Sequence, residues 1–579
     1  MKFVNGKYLI KLVSKNLITK WMDNKDMRES NKIKVLFLVV YSEGMEIKDE
    51  EYGVCSIVSF LRKNGYTVML LGDYEEQIGY RKIDEFKPDI IGLPVYLMSK
   101  DAVYRVCSLL KKLYNVPICV GGYFPTYYEK EMMEETSSID ISIRGEGELT
   151  WLRILKKIEQ NESLKDVSGI TYRTENGIMV NKEQEELVDI NELPFIARDL
   201  LRDNEMIVAT IASSRGCTRK CSFCCADSFW PKWRGKSAEA FVDEIEYIVN
   251  EYNVDLFNII DTSFEDPGSN YKRVMSIAQE IVNRDLKIGY HIDLRTTFHK
   301  KIDKELISIL KKSGLIGVMF GIEAANEADL KIYNKAATVE DNEKAVELFK
   351  ENGFHVTPGF INFNPYSTFD GLRKNIEFLE KYGFNSAFCR LRSSVRLNRG
   401  TKLFEKIEAD RLLKDGAYDD PYRYNFVDSR ISVLIEFIRN FYDEHNVKNN
   451  YSFGRIDAYT NEHLMFIEYY KHRFSSECDN GAFKVIQMHE QQIREILSEI
   501  NTRNSKWFKL LLNQAEELWS EEAAISIMNT FFDTKHMVSM ANLLDKIKIK
   551  LYYDLSKIDS KYERYFKVHK TRRVIDKLL

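Results

Sequence analysis

The stretch "EMIVATIASSRGCTRKCSFCCADSFWPKWRGKS" (205–237) runs a short apolar β pattern straight into four cysteines within nine positions: Cys217, Cys221, Cys224 and Cys225. A strand that ends in a loop crowded with thiols puts reactive groups at its carboxyl end, where α/β barrels keep their chemistry. Five more cysteines are spread over the rest of the 579 residues. Cys55, Cys107, Cys119 and Cys389 lie in apolar surroundings and read as small core residues of a reducing compartment, so the chain is predicted to be cytoplasmic. The cluster needs a different explanation.

Downstream, apolar runs alternate with amphipathic ones. The strand candidates are "VDLFNIID", "LKIGYHIDLR", "GLIGVMFGIE", "GFHVTPGFINF" and "GFNSAFCRLR". Between them lie helical patterns such as "AEAFVDEIEYIVNEY" (238–252), "DKELISILKKSG" and "VEDNEKAVELFKENG". Gly314, Gly353 and Gly383 stand where helix ends favour a left-handed residue. With the strand before the cysteines this makes six β-α repeats, two short of an eightfold barrel. The pattern predicts an open, partial TIM-type (β/α)6 barrel over 204–404. From 405 to 579 the β signal fades into Glu, Lys, Tyr, Phe and Leu at helical spacing, which predicts an α-helical C-terminal region.

Upstream, from 32 to 160, "IKVLFLVV", "YTVMLLG", "PDIIGLPVY", "VPICVGG" and "IDISIRGEGE" are near-continuous apolar runs separated by helical stretches. Such runs mark a parallel sheet covered on both faces, here a flavodoxin-like doubly wound α/β domain with its ligand site beyond the carboxyl ends of the strands. "ITYRTENGIMVN", within a polar linker at 161–203, predicts a hairpin turning at Glu-Asn-Gly. Residues 1–31 form a basic extension. Lys11 and Lys15 interrupt its apolar run and no small-residue cleavage site follows, which argues against a signal peptide. A net charge of −4, from 84 basic and 88 acidic residues, is not that of a generic nucleic-acid binder. The basic tail "KVHKTRRVIDKLL" reads as a solvated helix face. The longest apolar runs are strand-sized and far short of a membrane span.

Two metal chemistries suit the cysteines. Structural zinc takes four closing ligands, but the fourth thiol here, Cys225, adjoins Cys224, and no histidine lies nearer than His291. Three thiolates on a short loop suit an iron–sulfur cluster with one iron left unligated by protein. "RGCTRKCSFC" (215–224) resembles the C-x3-C-x2-C signature of the radical S-adenosylmethionine (SAM) superfamily, including Phe223 before the third cysteine. The resemblance runs from about 206 to 404. It implies that Cys217, Cys221 and Cys224 hold a [4Fe–4S] cluster whose fourth iron binds the amino and carboxylate groups of SAM. It also implies that "DTSF" (Asp261, Thr262, Ser263) lies at the SAM amino group. "GIEAANEADLKIYNK" (321–335) resembles the family's "GIES…L…nK" stretch, with Glu323 close to SAM. "GFINFNPYSTFDGL" departs from the family's glycine-rich turn, with Asn364, Pro365 and Tyr366 in place of glycines.

In the first domain "VGGYFPT" (120–126) and "IRGEGE" (143–148) follow strands, and their glycines let backbone N–H groups approach a ligand. No GxGxxG and no Walker A motif is present. A flavodoxin-like domain ahead of such a barrel resembles the cobalamin-binding subclass of the superfamily. That resemblance implies contacts to cobalamin from "GLPVYLMS", ending at Ser99, and from Gly121, Gly122, Thr126, Gly145, Glu146, Gly147 and Glu148. One departure is "GDYEEQIGY" (72–80), which lacks the histidine that ligates cobalt in cobalamin mutases. A domain retained only as scaffold is the alternative.

The resemblance implies an enzyme in which the reduced cluster cleaves SAM to a 5′-deoxyadenosyl radical. That radical abstracts hydrogen from an unactivated carbon, which cobalamin then methylates. Cyclisation or rearrangement without methyl transfer is the alternative reaction. A flavodoxin or ferredoxin would supply the electron, and the substrate, a small molecule or peptide, is not legible, nor is any catalytic acid, base or radical-quenching residue. A zinc-stabilised binding protein and a redox or cobalamin sensor are the non-catalytic alternatives.

Overall fold

The computed structural model describes residues 33–41, 51–200, 208–265, 267, 271–416, 420–448, 452–475, 480–531 and 534–558. The basic extension 1–31, the start of the pre-cysteine strand pattern at 205–207 and the basic tail lie outside the described residues. The chain forms two compact units. The first holds the described residues up to Leu200 together with Ser228–Arg234, and the second holds the rest.

The first unit is built on β1 (Lys34–Tyr41), β2 (Thr67–Tyr74), β3 (Ile90–Pro94), β4 (Ile118–Gly121) and β5 (Ile141–Ile143), parallel and in spatial order 2-1-3-4-5. This is the flavodoxin-like order. Helices α1 (Tyr52–Lys63), α2 (Lys100–Tyr114), α3 (Tyr123–Glu135) and α4 (Glu148–Glu159) accompany it. Seven of the eight β1 residues are buried, as a strand covered on both faces requires. Phe37 of β1 meets Trp151 of α4 edge-on at 4.9 Å. Gly92 on β3 makes that contact possible, since a Cβ there would lie 2.7 Å from both rings. The expected hairpin forms as β6 (Ile170–Thr174) and β7 (Gly177–Val180). It joins the same sheet as an antiparallel edge, with β6 paired to β5.

The second unit holds five parallel strands in chain order: β8 (Ala209–Ile211), β9 (Leu256–Ile259), β10 (Gly289–Leu294), β11 (Leu315–Glu323) and β12 (His355–Phe360). Between and after them run α5 (Ala238–Tyr252), α6 (Lys272–Asn283), α7 (Lys304–Lys312), α8 (Glu327–Ile332), α9 (Val339–Glu351) and α10 (Phe369–Lys381). Ser237, Asp303, Asn326, Thr338 and Thr368 cap five of these helices, each side chain accepting the backbone N–H three residues on. Such a cap contributes about 1 kcal/mol.

The sixth repeat departs from expectation. "FNSAFCRL" forms a 3-10 turn (Phe384–Ser386) and a single helical turn (Phe388–Leu391) instead of a strand. Its backbone donors go to side chains of the carboxyl-terminal helices. Phe388 and Cys389 N–H reach the Asp457 carboxylate at 2.6 and 3.0 Å, and Asn385 N–H reaches Asn501 Oδ1 at 2.9 Å. Parallel pairing survives only as one bridge, Phe363 to Ser394.

The carboxyl-terminal region is helical, as its spacing predicts: α11 (Lys402–Ala409), α12 (Ser429–Lys448), α13 (Ser452–Ala458), α14 (Leu464–Ser475), α15 (Asn480–Glu517), α16 (Glu521–Phe531) and α17 (Thr534–Ile558). It shares one hydrophobic core with the barrel, from Leu256, Ile316 and Tyr333 through Trp507 and Leu512 to Leu551. Helix α14 packs on β10, β11 and β12. Its Tyr469 is buried beneath the amino end of β10, where a Cβ on Gly289 would come within 2.3 Å of the ring.

Candidate functional site

The cysteine loop leaves the carboxyl end of β8 and is tied down at several points. Ser222 N–H donates to Tyr333 O (2.9 Å), and Ser222 Oγ donates to Ile332 O (2.7 Å). Leu403 N–H donates to Ser222 O (2.8 Å), and Asn334 Nδ2 to Lys220 O (2.7 Å). Phe223 packs edge-on against Tyr333 at 5.5 Å. Because a buried backbone group left unpaired is costly, each of these bonds restricts the loop to one path.

Cys217, Cys221, Cys224 and Cys225 are half-buried and free of disulfides. Backbone N–H groups of Arg219 and Ala226 point at Cys217 Sγ (3.4 Å) and Cys224 Sγ (3.5 Å). Burial pushes the Cys224 thiol up to about 12, and its thiol neighbours Cys225, Cys221 and Cys217 add to the shift. Burial raises Cys221 as well, against the pull of Lys335. Thiols so placed hold their protons until a metal displaces them. Among the described residues no three His, Cys, Asp or Glu side chains converge on one ion position. Three thiolates that each bind a different iron have no need to converge on one point.

Glu323 ends β11 with a left-handed backbone (φ 64°). Its Oε1 lies 3.3 Å from Lys335 Nζ. A Cβ on Gly321 would meet the carboxylate at 2.9 Å and the ammonium at 3.1 Å, so glycine leaves the space for this pair. Burial raises the Glu323 carboxyl, opposed by Lys335. Burial works against the Lys335 charge too, but Glu323 and the Cys221 sulfur outweigh it. A cation thus sits beside the cysteine loop.

Asp261 is buried and turned toward the strand that feeds the loop. Its carboxylate accepts Ser213 N–H (2.7 Å), Ser214 N–H (3.0 Å), Ser214 Oγ (2.7 Å) and Ser213 Oγ. Ser263 Oγ donates to Glu265 (2.7 Å), and Glu265 also accepts Arg295 N–H at 3.0 Å. Of Asp261, Thr262 and Ser263, only Thr262 is exposed. Asn364, which replaces a glycine of the family's turn, is fully buried and donates to Asp329 (2.8 Å) and Tyr333 OH (2.9 Å). That bond couples the turn to the segment anchoring the cysteines. Sequence reasoning missed Lys335, Ser222 and Asn334 as supports. It also missed His291 and Asp293, polar residues alternating in a strand whose neighbours are otherwise apolar.

In the first unit, Gly122 opens α3 with φ 113°, and a Cβ there would lie 3.4 Å from Val95 O. Thr126 Oγ1 donates to Gly122 O (2.7 Å) and accepts Gly145 N–H (3.1 Å), which stitches the two glycine loops together. Ser99 is buried against the Tyr96 backbone. The carboxylates of Glu146 and Glu148 are engaged: Glu146 pairs with Arg234, and Glu148 accepts Ser56 Oγ at 2.6 Å. Gly145 and Gly147 offer backbone alone. Beside them Met98 is 77% exposed and Tyr123 37%. Tyr123 contacts Phe229 (4.5 Å) and Trp230 (5.8 Å). Glycine backbone and exposed apolar groups at strand ends fit a large, mostly apolar ring system. The sequence has no histidine before His291, so this unit offers a cobalt no histidine ligand.

Comparison with known proteins gives two family matches: the B12 binding domain over residues 49–155 and the Radical SAM superfamily over 211–379. The anaerobic magnesium-protoporphyrin IX monomethyl ester cyclase of Rubrivivax gelatinosus is 30% identical over 326 residues, 53% of this chain and 58% of that protein. This chain therefore spans little more than half the length of that relative. An uncharacterised methyltransferase of Pyrococcus horikoshii is 28% identical over 374 residues, 62% of this chain and 79% of that protein. Among solved structures, the cobalamin-dependent SAM radical enzyme OxsB, with aqua-cobalamin and SAM bound, superposes with a TM-score of 0.66 at 19% identity, over 94% of this chain and 86% of that one. The methyltransferase TsrM of Kitasatospora setae follows at 0.53 and 17%, over 65% and 75%. Both likenesses concern the fold. With a B12 binding domain followed by a radical SAM domain, the chain is a B12-binding-domain-containing member of the radical SAM superfamily.

Proposed function

We propose that the protein is an enzyme that cleaves SAM reductively at a [4Fe–4S] cluster held by Cys217, Cys221 and Cys224, and uses cobalamin to methylate an unactivated carbon of its substrate. The observation that carries this reading is the cysteine loop: three half-buried, disulfide-free thiols at the end of β8, with Lys335 beside them. When bound, the cluster and SAM supply one-electron bond cleavage and cobalamin supplies a methyl carrier.

The chain's own residues do the holding. Asp261 fixes the Ser213–Ser214 turn from which the loop departs. Lys335 offsets the charge that thiolate formation builds near Cys221. Glu323 and Thr262 offer polar groups to SAM, and Phe223 closes one side of the loop. In the first unit Gly121, Gly122, Gly145 and Gly147 present backbone to the corrinoid, with Ser99 and Thr126 holding their loops; Glu146 and Glu148 act as internal braces. A flavodoxin or ferredoxin is the electron donor we assign, and the cytoplasm, where thiols stay reduced, is the compartment. Among the described residues no helix is long and apolar enough to cross a membrane.

Cyclisation is the second reading, supported by the cyclase of Rubrivivax gelatinosus; methylation is supported by the Pyrococcus horikoshii relative and by the hopanoid C-3 methylase of Methylococcus capsulatus. The test is anaerobic reconstitution with iron and sulfide, then dithionite, SAM and hydroxocobalamin. The proposal expects 5′-deoxyadenosine and S-adenosylhomocysteine, with one corrinoid retained per chain. Deoxyadenosine without S-adenosylhomocysteine favours cyclisation. Zinc in place of iron, with no cleavage, overturns the proposal.

A further inference from the structure

One face of the five barrel strands is polar. The strand register aligns Thr210, Asn258, His291, Gly317 and His355 across β8 to β12, and one layer nearer the carboxyl ends it aligns Asp293, Met319 and Thr357. The Cβ that Gly317 lacks would lie 3.2 Å from both His291 Cδ2 and His355 Cβ, so both histidines stand on the lumen side. Burial alternates in step. Ile292 and Leu294 are packed away, while Asn258, His291, Asp293, Met319 and Thr357 are half-buried. Barrel interiors are ordinarily filled with layers of Val, Ile and Leu.

His355 Nε2 has Thr357 Oγ1 at 3.2 Å. Among the described residues the side chains of Asn258, His291 and Asp293 have no hydrogen-bond partner. Burial pushes His291 down to about 4, leaving a neutral imidazole with one donor and one acceptor nitrogen. Asp293, shifted first by burial and then by Asp261 and Glu265, is pushed up to about 7. The three are half-buried, so their donors and acceptors reach the lumen unused by the protein, and a ligand entering it can bond to them.

We infer that Asn258, His291 and Asp293 form a substrate subsite in the barrel lumen that takes an amine or hydroxyl group, a donor-rich end of the substrate. The chemistry selects this class. Glu265 is held by Arg295 and Asp261 by Ser213, Ser214 and Arg273, which leaves Asp293 as the uncommitted carboxyl. It disfavours a phosphate or carboxylate beside it, and a hydrocarbon would leave all three groups unpaired. An ammonium has three N–H donors, one each for the Asp293 carboxylate, the His291 acceptor nitrogen and the Asn258 carbonyl; a hydroxyl donates once, to Asp293, and accepts from the Asn258 amide. The inference rests on the proposed function only in naming the occupant a substrate.

The test uses the full-length reconstituted protein with SAM and hydroxocobalamin present throughout, so that neither cofactor is mistaken for the occupant. Cyclohexylamine, cyclohexanecarboxylate and methylcyclohexane are compared by saturation-transfer NMR. The amine is expected to bind at least tenfold better than the other two. Asp293→Asn and Asn258→Ala should each weaken it at least fivefold, with cluster iron and SAM affinity as in the parent; Asn258→Ala changes no charge and guards against a folding defect. Equal binding of the three probes, unchanged binding in both variants, or a parallel loss of SAM affinity overturns the inference. If the cluster cannot be built, the proposed function fails, yet the same probes on the protein as isolated still read the lumen.

Discussion

At the carboxyl ends of β4 and β5 the residues with ligand-like chemistry are already bound by their own protein: Glu146 to Arg234, Glu148 to Ser56, Thr126 to two glycine loops. At the barrel strands the opposite holds: among the described residues the side chains of Asn258, His291 and Asp293 have no hydrogen-bond partner. Both places come from parallel βα units, so topology does not separate them. The first offers backbone and shape and suits a bulky ring held by fit. The second offers uncommitted donors and acceptors and suits a ligand chosen by its hydrogen bonds.

The largest expected effect separates the two places outright. Replacing Cys217, Cys221 or Cys224 with alanine should abolish cluster iron and lower 5′-deoxyadenosine formation by about a thousandfold or more, about 4 kcal/mol in barrier terms. Corrinoid binding should persist, because no cysteine takes part in it; Cys225→Ala should keep the iron. Iron analysis and corrinoid absorbance on the same samples check this.

Next comes the first unit. Glu146→Gln leaves Arg234 paired to a neutral amide in a buried setting, which should destabilise that unit by about 3 kcal/mol. Below its lowered melting temperature the variant should still hold a full complement of hydroxocobalamin. Loss of corrinoid from the folded variant would make Glu146 a ligand and break the contrast.

The third effect is a pH slope. Asp293 in the folded chain ionises near 7, above its unfolded value, so the native state binds the extra proton. Its contribution to stability is complete at low pH and is lost as pH rises, by up to about 4 kcal/mol between about pH 4 and 7. Urea midpoints measured across that range should fall with pH in the parent and flatten in Asp293→Asn. The smallest effect belongs to Arg62 and Asp199, an ion pair about one-third exposed at both ends. Asp199→Asn should change stability by under about 1 kcal/mol.

Much of this architecture was legible because it rests on local patterns. Continuous apolar runs marked β1 to β5, and amphipathic runs, several closed by Gly314, Gly353 and Gly383, marked the barrel helices. The sixth repeat was misleading because "FNSAFCRL" is apolar enough for a strand, while its fate is decided by Asp457 and Asn501. Those partners lie far along the chain and leave no local trace. The cysteine loop was legible by spacing, since Cys217, Cys221 and Cys224 lie on one short loop after β8. The engagement of Glu146 was not, because its partner Arg234 lies 88 positions away. His291 and Asp293 did leave a trace: two polar residues two apart in an otherwise buried strand share one face.

Tyr469 under Gly289 also sets a clock. Translation runs at about 5–20 residues per second, and the cysteine loop emerges well before α14. For seconds to tens of seconds the nascent barrel therefore has its thiols while the layer that closes β10 from below has yet to be synthesised. Metal that arrives in that interval meets a barrel whose layer beneath β10 is still open.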